Sequence, residues 1–446
     1  MKILMISTYD ITGGAARAAF RLHKVLLQNK IDSKMLVATK NSDENSIFIL
    51  KKSKKNLIEK IFSRLHKKFI LNRLLIKYKN TMKKNWGPFS LQSVSNKELV
   101  KTINKINPDI VHLHWICHNF LSIEDIGRIN APIVWSLHDM WAFTGGCHYV
   151  AEQVSPHNDK EMTPCGGYKE ICDKYTKKCG NCDFLGSNKT KDLSFNILER
   201  KKKTFKKKGN MTIIGLSEWI ADCAKKSSVF SNQKILCLPN PIDTNIFKPM
   251  NKHQARALWN LPENKKLVLF GAISATSIPY KGYDLLIEAL NKIDTKNIEF
   301  VVFGSSEPEN PPKLPCKTHY LGHLHDDITL VSLYSASDVM IVPSKRENLS
   351  NVIMESLSCG TPVICFNIGG NSDMVNHKVN GYLAQPFDTS DLAQGINWVL
   401  SNTHYNELSK VARETIVRRF DYNVVAKRYI DLYEEVVNQC AIGKDK

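Results

Sequence analysis

The stretch DVMIVPSKRENLSNVIMESLSCGTPVICF, residues 338–366, decides the fold. Residues 338–342 and 362–366 are short apolar runs that predict buried strands, and the pattern of residues 351–359 between them predicts a helix. Two strands joined through a helix form a parallel pair, because only a crossover connection returns the chain in the same direction. The stretch therefore predicts a parallel sheet covered by helices.

The same alternation of apolar runs and helical patterns extends over the whole chain. The composition is too ordinary for a fibrous or disordered protein, and 446 residues are enough for two or three domains. The alternation begins afresh after residue 241, which predicts two doubly wound α/β domains with a ligand cleft between them. The further strands are predicted at residues 2–7, 34–38, 110–114, 133–137, 211–216, 267–272 and 298–303, and the further helices at 15–29, 283–293, 328–336, 391–401, 405–418 and 423–438.

The apolar content also bears on location. No run approaches the roughly 18 apolar residues that a membrane-spanning helix needs. The apolar run that follows Lys2 is too short for the core of a secretory signal. We therefore expect a cytoplasmic protein.

The net charge of +19 comes from two segments of the chain. Residues 51–86 carry 13 basic residues and one acidic residue, and residues 200–208 add seven basic residues, so the rest of the chain is neutral. Apolar residues recur near helical spacing in the first segment, which is typical of an interfacial helix on anionic lipid. The alternative is an ordinary domain helix with a solvated basic face. Nucleic acid ranks lower as a partner, because neither segment has an aromatic stacking array or a reader motif.

The loop inside the opening stretch has the composition of a diphosphate site. Glu347 follows the strand, and Glu355 lies one turn inside the helix. Free backbone amides near Leu349, Ser350 and Asn351, with the positive end of the helix dipole, suit a diphosphate. The two carboxylates suit the hydroxyls of a sugar and a ribose. Alternatively, both are ordinary acidic residues at the start of a helix.

Lys281 and Gly282 follow the strand predicted at residues 267–272. An ammonium group beyond the carboxyl end of a strand can contact phosphate oxygens, and a glycine beside it lets the backbone approach closely. A solvated lysine in a turn is the simpler interpretation of this pair taken alone.

Glu347 and Glu355, with seven residues between them, resemble the signature of the family 4 glycosyltransferases, which have the GT-B architecture of two Rossmann-like domains. Blocks over essentially the whole chain resemble the same family. They are residues 12–14 (TGG), 238–243 (LPNPID), 281–282 (KG), 335–339 (SASDV), 358–363 (SCGTPV) and 369–370 (GG). The resemblance implies an acceptor-side domain at residues 1–240, a nucleotide-sugar-binding domain at 241–418 and a final helix at 419–446 that crosses back to the first domain.

The resemblance also implies roles for individual residues. Glu355 would hold the ribose of a nucleotide-sugar, Glu347 the hydroxyls of the transferred sugar, and Lys281 the departing diphosphate. Gly14 would let backbone amides approach that diphosphate, and His138 would lie near the donor sugar and the acceptor. The implied catalytic residues are His138, Lys281 and Glu347, and the implied donor-binding residues are Gly13, Gly14, Lys281, Glu347, Leu349, Ser350, Asn351 and Glu355.

Two positions depart from the family pattern. No arginine follows the strand before Lys281, where the chain reads GAISA at residues 271–275. Arg346 or a basic residue of the first domain is therefore expected to compensate. Ser350 stands where a glycine is commoner.

The resemblance implies sugar transfer with retention of configuration, in which negative charge develops on the leaving diphosphate. The sequence has no Asp-x-Asp triplet, the commonest cue for a divalent metal there, so we expect no catalytic cofactor. The expected acceptor is a glycan, or a glycan on a polyprenyl diphosphate at the inner face of the cytoplasmic membrane, with the protein peripheral to that membrane. The alternatives are a nucleotide-sugar epimerase of the same architecture and a non-catalytic binding protein for RNA or an anionic polymer.

Five cysteines lie within residues 147–182. A Cys-x2-Cys pair with two further thiolates has the composition of a structural zinc site, and a metal is favoured over disulfides in a cytosolic chain. The segment from Trp141 onward also resembles a subgroup of the family among bacterial surface-polysaccharide enzymes. That resemblance implies four ligands, Cys147, Cys172, Cys179 and Cys182, and places Cys165 in an insertion. Zinc would brace the loop after His138, whereas free buried thiols and a redox disulfide are the alternatives.

Overall fold

The computed structural model describes residues 1–50, 73–82, 87–150, 172–272, 274, 276–309, 311–324 and 326–442. Most of the basic segment 51–86 and the insertion with Cys165 therefore lie outside the described residues. The chain divides into two compact units. Unit 1 comprises the described parts of Met1–Glu161, Tyr168–Pro239 and Ala426–Lys446, and unit 2 comprises Asn240–Val425.

Unit 1 is built on a parallel sheet of seven strands. These are β1 (Lys2–Tyr9), β2 (Asp32–Thr39), β3 (Ile47–Ile49), β4 (Ile110–Leu113), β5 (Ile133–Leu137), β6 (Met211–Gly215) and β7 (Lys234–Cys237). Their order in the sheet is β3-β2-β1-β4-β5-β6-β7. The order reverses between β1 and β4, and such a switch point is where doubly wound sheets bind ligands, beyond the carboxyl ends of the strands.

Helices cover the sheet of unit 1. They are α1 (Gly14–Gln28), α2 (Lys97–Ile106), α3 (Ile123–Ile126), α4 (Leu193–Lys208) and α5 (Glu218–Lys226). All residues of β4 and β5 are buried, because strands covered on both faces need apolar side chains on both. The register sets Ile6 opposite Leu113 and Leu113 opposite Trp135, so the ends of β1, β4 and β5 meet at one edge of the sheet.

Unit 2 is built on a second parallel sheet, of six strands. These are β8 (Lys266–Gly271), β9 (Ile298–Phe303), β10 (Thr318–Tyr320), β11 (Val339–Val342), β12 (Val363–Phe366) and β13 (Gly381–Ala384), in the order β10-β9-β8-β11-β12-β13. Its helices are α6 (Lys252–Leu258), α7 (Tyr283–Leu290), α8 (Asp327–Ala336), α9 (Asn351–Ser358), α10 (Thr389–Leu400) and α11 (Tyr405–Phe420). The strand order of this sheet also reverses, between β8 and β11, so the loops after these two strands are the expected ligand site of unit 2.

The last helix, α12 (Tyr422–Ile442), begins in unit 2, and its residues from Ala426 onward belong to unit 1. The Oη atom of Tyr433 lies 2.7 Å from Nδ1 of His112 on β4, and both side chains are buried. Lys234 on β7 pairs with Glu435 at 2.5 Å. The helix therefore packs on the sheet of unit 1 through a buried hydrogen bond and a peripheral ion pair.

Asp338, the aspartate of the SASDV block, forms a buried ion pair. Asp338 pairs with Arg256 of α6 at 2.8 Å, and the same carboxylate oxygen accepts from the backbone amide of Leu267 at 2.7 Å. A buried charge needs such partners, because its desolvation is costly. The block therefore anchors α6 beside the start of β8 and has a structural role.

The strands and helices predicted from the sequence all form, and most of their ends lie within two residues of the predicted ends. The prediction missed the short strands β3, β7, β10 and β13 and the helices α2, α3, α4, α5 and α6. All four of these strands lie at sheet edges, and their three or four residues are too few to show a period. Within the described residues, none of the helices has the length and apolar character that crossing a bilayer requires.

Candidate functional site

Unit 2 brings Lys281 and Glu347 into direct contact. Lys281 ends a short 3-10 helix after β8, and Glu347 lies in the loop after β11, which pairs with β8. Lysine Nζ lies 2.6 Å from Oε1 of Glu347, and the hydroxyl of Ser344 donates to the same oxygen at 2.9 Å. Burial alone would lower the pKa of Lys281, but the carboxylate of Glu347 outweighs it, so the pKa is raised. The lysine is therefore a cation at neutral pH.

Two glycines fix the loop that carries Glu347. Gly282 has φ 73°, and a Cβ atom there would overlap the carbonyl oxygen of Pro343. Gly369 has φ 53°, and a Cβ atom there would overlap the carbonyl oxygen of Glu347 itself. Only glycine combines a positive φ with such a close backbone approach. The KG and GG blocks therefore hold the two ends of one loop against its neighbours.

Glu355 lies inside α9 and is almost fully buried, at 3% exposure. The hydroxyl of Tyr334 on α8 donates to its Oε2 atom at 2.9 Å. Tyr334 is itself fully buried, and the ring of Phe303 packs edge-on against it. A buried carboxylate with such a partner is held in one orientation.

The start of α9 keeps the features expected of an anion site. Ser350 occupies the N-cap position, and its side chain makes no capping hydrogen bond to the helix. Leu349 and Ser350 are buried, whereas Asn351 is partly exposed. The first amides of a helix are donors without intrahelical partners, so this turn can bind an anion.

In unit 1, the predicted glycines lie at the start of α1. Gly13 is the N-cap residue with φ 90° and Gly14 is the first residue of the helix. A Cβ atom at Gly13 would have no neighbour within 4 Å, so its φ angle, not crowding, requires glycine. The carboxylate of Asp10 accepts from the amides of Ile11, Asn41 and Ser42 at 2.8–3.0 Å, which fixes the turn before the helix.

His138 follows β5 and bonds to a second histidine. Its Nε2 atom lies 3.0 Å from Nδ1 of His114, which follows β4. Burial lowers the pKa of His138 to about 4 and that of His114 well below its usual value, so both rings are neutral at pH 7. The Nε2 atom of His114 is buried and makes no hydrogen bond among the described residues.

The next residue, Asp139, collects three donors. It accepts from Nε1 of Trp115 at 2.8 Å, from Nδ1 of His148 at 2.6 Å and from the amide of Trp141 at 2.8 Å. Burial would raise the pKa of Asp139, but the charge and hydrogen bond of His148 and the other donors lower it. Asp139 is therefore a fixed anion that positions the segment after His138.

The predicted zinc site is not supported. Among the residues that the structure describes, no three or more His, Cys, Asp or Glu side chains are arranged to hold a metal ion, and this search covers all four predicted cysteines. A tetrahedral site needs ligands that converge on one point. The thiols are free, and burial is the largest cause of their raised pKa values, about 12 for Cys179, so all four are protonated.

A buried lysine braces the loop after His138. The side chain of Lys201 on α4 is fully buried, donates to the carbonyls of Trp141 and Thr144, and lies 3.9 Å from the centre of the Trp141 ring. Burial lowers the pKa of Lys201 to about 7. In the sequence, Lys201 belongs to the basic run at residues 200–208. The six other basic residues of this run obscure the helical spacing that turns Lys201 inward.

The sequence named the proposed site residues of each unit but not the side chains that contact them. In unit 2, Glu347 meets Lys281 and Ser344, and Glu355 meets Tyr334. Ser344 lies inside the opening stretch but was assigned no role, and Tyr334 lies one residue before the SASDV block. Gly13, Gly14 and His138 lie in unit 1 at the ends of β1 and β5 with β4 between them. His114 is the last residue of the strand predicted at 110–114, and Asp139 follows the strand predicted at 133–137, which was the available signal for both.

Part of the chain matches a known protein family in sequence. Residues 251–415 match the sequence profile of the family described as glycosyl transferases group 1. The second domain of this chain is a group 1 glycosyltransferase domain. The match confirms the resemblance of this part of the chain to the family 4 glycosyltransferases.

Curated relatives resemble part of the chain. A D-inositol 3-phosphate glycosyltransferase of Saccharomonospora viridis is 30% identical over 217 residues, which are 44% of this chain and 49% of the relative. An N-acetyl-alpha-D-glucosaminyl L-malate synthase of Bacillus anthracis is 23% identical over 48% of this chain and 57% of its own. The chain thus spans about half the length of the curated relatives it matches.

Solved structures resemble the whole chain in fold. A sucrose-phosphate synthase of Thermosynechococcus elongatus has a TM-score of 0.63 at 18% identity and covers 98% of this chain and 100% of its own. An Anabaena protein crystallised with UDP and glucose has a TM-score of 0.60 at 14% identity over 97% and 99% of the chains. These similarities, with the two parallel sheets, confirm the predicted GT-B glycosyltransferase fold. The surface-polysaccharide subgroup stays a prediction.

Proposed function

We propose that the protein is a retaining glycosyltransferase that moves a sugar from a nucleoside diphosphate to a glycan acceptor without a catalytic metal. The observation that carries the proposal is the cluster of Lys281, Ser344 and Glu347 at the ends of two paired strands of a group 1 glycosyltransferase domain. Glu355, one turn inside the following helix, supplies a second carboxylate.

Lys281 and the first amides of α9 are the groups that would stabilise the leaving diphosphate. As the sugar–phosphate bond breaks, negative charge grows on the phosphate oxygens, and fixed donors aimed at that charge lower the barrier. Lys281 is charged and held at 2.6 Å by Glu347, so it needs little reorganisation to meet an anion. Arg346 lies in the same loop and is the candidate to compensate for the missing family arginine.

The two carboxylates would divide the recognition of the donor. Glu347 has a second oxygen besides the one that Lys281 and Ser344 contact, so it can accept from hydroxyls of the transferred sugar. Glu355, oriented by Tyr334, would accept from the ribose hydroxyls. A nucleoside diphosphate-sugar presents these groups on either side of one diphosphate, as the two carboxylates flank one helix start.

Unit 1 would contribute neutral donors and acceptors. The amides that begin α1 at Gly13 and Gly14 would approach the diphosphate, because the N-terminus of a helix favours anions. His138 would contact the donor sugar or the acceptor through hydrogen bonds, since a ring with a pKa near 4 does not carry charge at pH 7.

The first experiment is a thermal-shift panel of nucleoside diphosphates and their sugars on the full-length chain, because a ligand that binds only the folded state raises the unfolding temperature. The best donor is then incubated with glycan acceptors, and the anomeric configuration of the product is read by NMR. We expect release of nucleoside diphosphate and a product with the anomeric configuration of the donor. An epimerised donor formed without acceptor, or no release at all, would contradict the proposal.

Variants then test the cluster. Lys281→Ala and Glu347→Ala are each expected to lower turnover by about 100-fold or more while the fold is kept, since each removes a group aimed at the reacting diphosphate or sugar. Lys345→Ala is the matched control, because Lys345 lies two residues from Glu347 and pairs with Asp284 at 2.7 Å at the surface. Near-normal turnover in either site variant would remove that residue from the mechanism.

The finer proposal concerns the acceptor and the membrane. Lys203, Lys206 and Lys207 on α4 are exposed and can meet anionic lipid, whereas Arg200 of the same run is bound to Glu124 at 2.8 Å. We therefore infer a peripheral position at the inner face of the cytoplasmic membrane, with a lipid-linked surface-polysaccharide intermediate as acceptor. Vesicle sedimentation should show preference for anionic over neutral lipid, and equal sedimentation with both would defeat this part.

A further inference from the structure

Three aromatic side chains of unit 1, Tyr9, Trp115 and His118, meet at the carboxyl ends of two paired strands. Tyr9 ends β1, and Trp115 follows β4. The rings of Tyr9 and Trp115 have centroids 6.4 Å apart and an angle of 19° between their planes. His118 stands edge-on to both rings, and its Nδ1 atom lies 3.0 Å from the Tyr9 hydroxyl. We call these three residues the aromatic platform.

The geometry leaves ring surface available for a ligand. Parallel rings in contact are about 3.5–4 Å apart, so a centroid distance of 6.4 Å implies a lateral offset of about 5 Å, and the two rings hardly cover each other. Tyr9 and Trp115 are partly exposed and His118 is exposed. The platform is therefore an extended aromatic surface, not a closed core contact.

The loop that presents His118 is held in a costly conformation. His118 and Asn119 both have φ 58°, which is uncommon for residues with a side chain. A buried glutamine, Gln92, holds the loop by donating to the carbonyls of Ile116 and Leu121, and its Oε1 accepts from the Asn119 amide at 2.6 Å. Strain that the surroundings maintain at a surface loop is typical of binding sites.

Polar groups lie at the edge of the platform. The indole N–H of Trp115 is bound to Asp139, and a small cavity is lined by Trp115, Asp139, His138 and His114. The buried Nε2 atom of His114 has no hydrogen-bond partner among the described residues, which is rare for a buried polar atom. The site thus offers flat aromatic faces beside hydrogen-bonding groups, without a lysine or arginine among the lining residues.

A pyranose ring matches this combination. One face of a pyranose presents C–H groups that pack on aromatic faces, where the negative quadrupole meets the slightly positive hydrogens. Its rim presents hydroxyls that can donate to a carboxylate or exchange hydrogen bonds with a neutral imidazole. A phosphate fits poorly, because the fixed anion here is Asp139 and the histidines are neutral.

We propose that the aromatic platform binds a pyranose ring of the acceptor glycan by stacking on Tyr9 and Trp115, with sugar hydroxyls on the Asp139, His114 and His138 side. This inference rests on the proposed function, because it treats unit 1 as the acceptor side of a glycosyltransferase. It names the residues that recognise an uncharged sugar in that unit.

Saturation-transfer NMR on the full-length protein tests the platform. The probes are methyl glycosides of glucose, galactose, mannose and N-acetylglucosamine, at millimolar concentration, with uridine and adenosine as competitors for an aromatic surface. At least one glycoside should receive saturation at its ring protons. Absence of transfer to every glycoside would overturn the proposal. It would also be overturned if a nucleoside displaces the glycoside and the signal of that nucleoside depends on Trp115.

Variants separate stacking from hydrogen bonding. Trp115→Leu and Tyr9→Leu should each lower the glycoside signal about fivefold, since they remove an aromatic face, whereas Trp115→Phe and Tyr9→Phe should keep at least about half of it. Trp259→Leu is the matched control, because Trp259 is a partly exposed indole of unit 2 whose Nε1 donates to Ser332 at 3.0 Å. Equal signals in the Phe and Leu variants would refute stacking.

The outcome stays separable from that of the proposed function. Nucleoside diphosphate binding is measured on the same samples by thermal shift. Leu variants that lose the glycoside signal but keep nucleotide stabilisation support the platform. A chain that binds glycosides but is stabilised by no nucleotide would sink the proposed function and leave the sugar site standing, whereas nucleotide binding without glycoside binding would overturn the platform alone.

Discussion

The hydrogen bond from Tyr334 to Glu355 offers the sharpest prediction about the donor site. Tyr334→Phe removes one oxygen atom, which donates to Glu355 at 2.9 Å. The aromatic ring remains and keeps its edge-on packing against Phe303, with the ring centroids 6.0 Å apart. The variant should therefore fold, and its effect should be limited to the orientation and solvation of one buried carboxylate.

The size of the effect follows from the charge of the acceptor. A hydrogen bond to an ionised group contributes about 1.5–3 kcal/mol, and leaving such a group short of a partner costs a similar amount. Because about 1.4 kcal/mol corresponds to a tenfold change in affinity, full expression in binding would weaken a nucleotide by about 10-fold to 150-fold. Glu355 can recover part of this through its other contacts, so we expect about tenfold.

Isothermal titration calorimetry measures the affinity of wild type and Tyr334→Phe for the nucleoside diphosphate that stabilises the chain most and for its 2′,3′-dideoxy analogue. The loss should appear with the ribonucleotide and be nearly absent with the dideoxy form, which has no hydroxyl for Glu355. Tyr283→Phe is the control, since it removes another buried tyrosine hydroxyl of unit 2, 3.2 Å from that of Tyr320. An equal loss with both nucleotides, or none with either, would refute the assignment of Glu355 to the ribose.

Two further predictions concern unit 1. His114→Asn should keep the hydrogen bond to His138, because the Asn amide lies near the place of Nδ1, whereas His114→Gln should lose it. Long-range proton–nitrogen NMR should show one neutral His138 tautomer in the Asn variant and a mixture of tautomers in the Gln variant. Identical spectra for the two variants would contradict the pairing of His114 with His138. Lys201→Met should change the pH dependence of stability. Since burial lowers the pKa of Lys201 to about 7 and an unfolded lysine titrates near 10.4, the unfolded chain binds more protons above pH 7, and wild type should gain up to about 1.4 kcal/mol per pH unit over the variant between pH 7 and 8.5. Thermal unfolding midpoints that differ equally at both pH values would contradict this.

The sequence by itself predicted the central strands of both sheets and named the proposed site residues. Strands such as β11 and β12 are buried on both faces, so their apolar character is continuous and local. Glu347 and Glu355 were visible because their spacing spans one loop and one helix turn, and local structure preserves such spacing. Edge strands of three or four residues, such as β3 and β10, carried too little pattern to be found.

Only the tertiary structure decided which side chains meet these residues. Tyr334 reaches Glu355 across 21 positions, and His114 reaches His138 across 24, because neighbouring strands and helices are joined by crossovers of variable length. The cysteine spacing suggested zinc, yet a metal site depends on geometry in three dimensions, and no group of ligands arranged for a metal is found among the described residues. Lys201 was counted among the basic residues of segment 200–208, but its side chain is buried and braces the loop after His138. Burial and contact are properties of the assembled sheets, which no local pattern encodes.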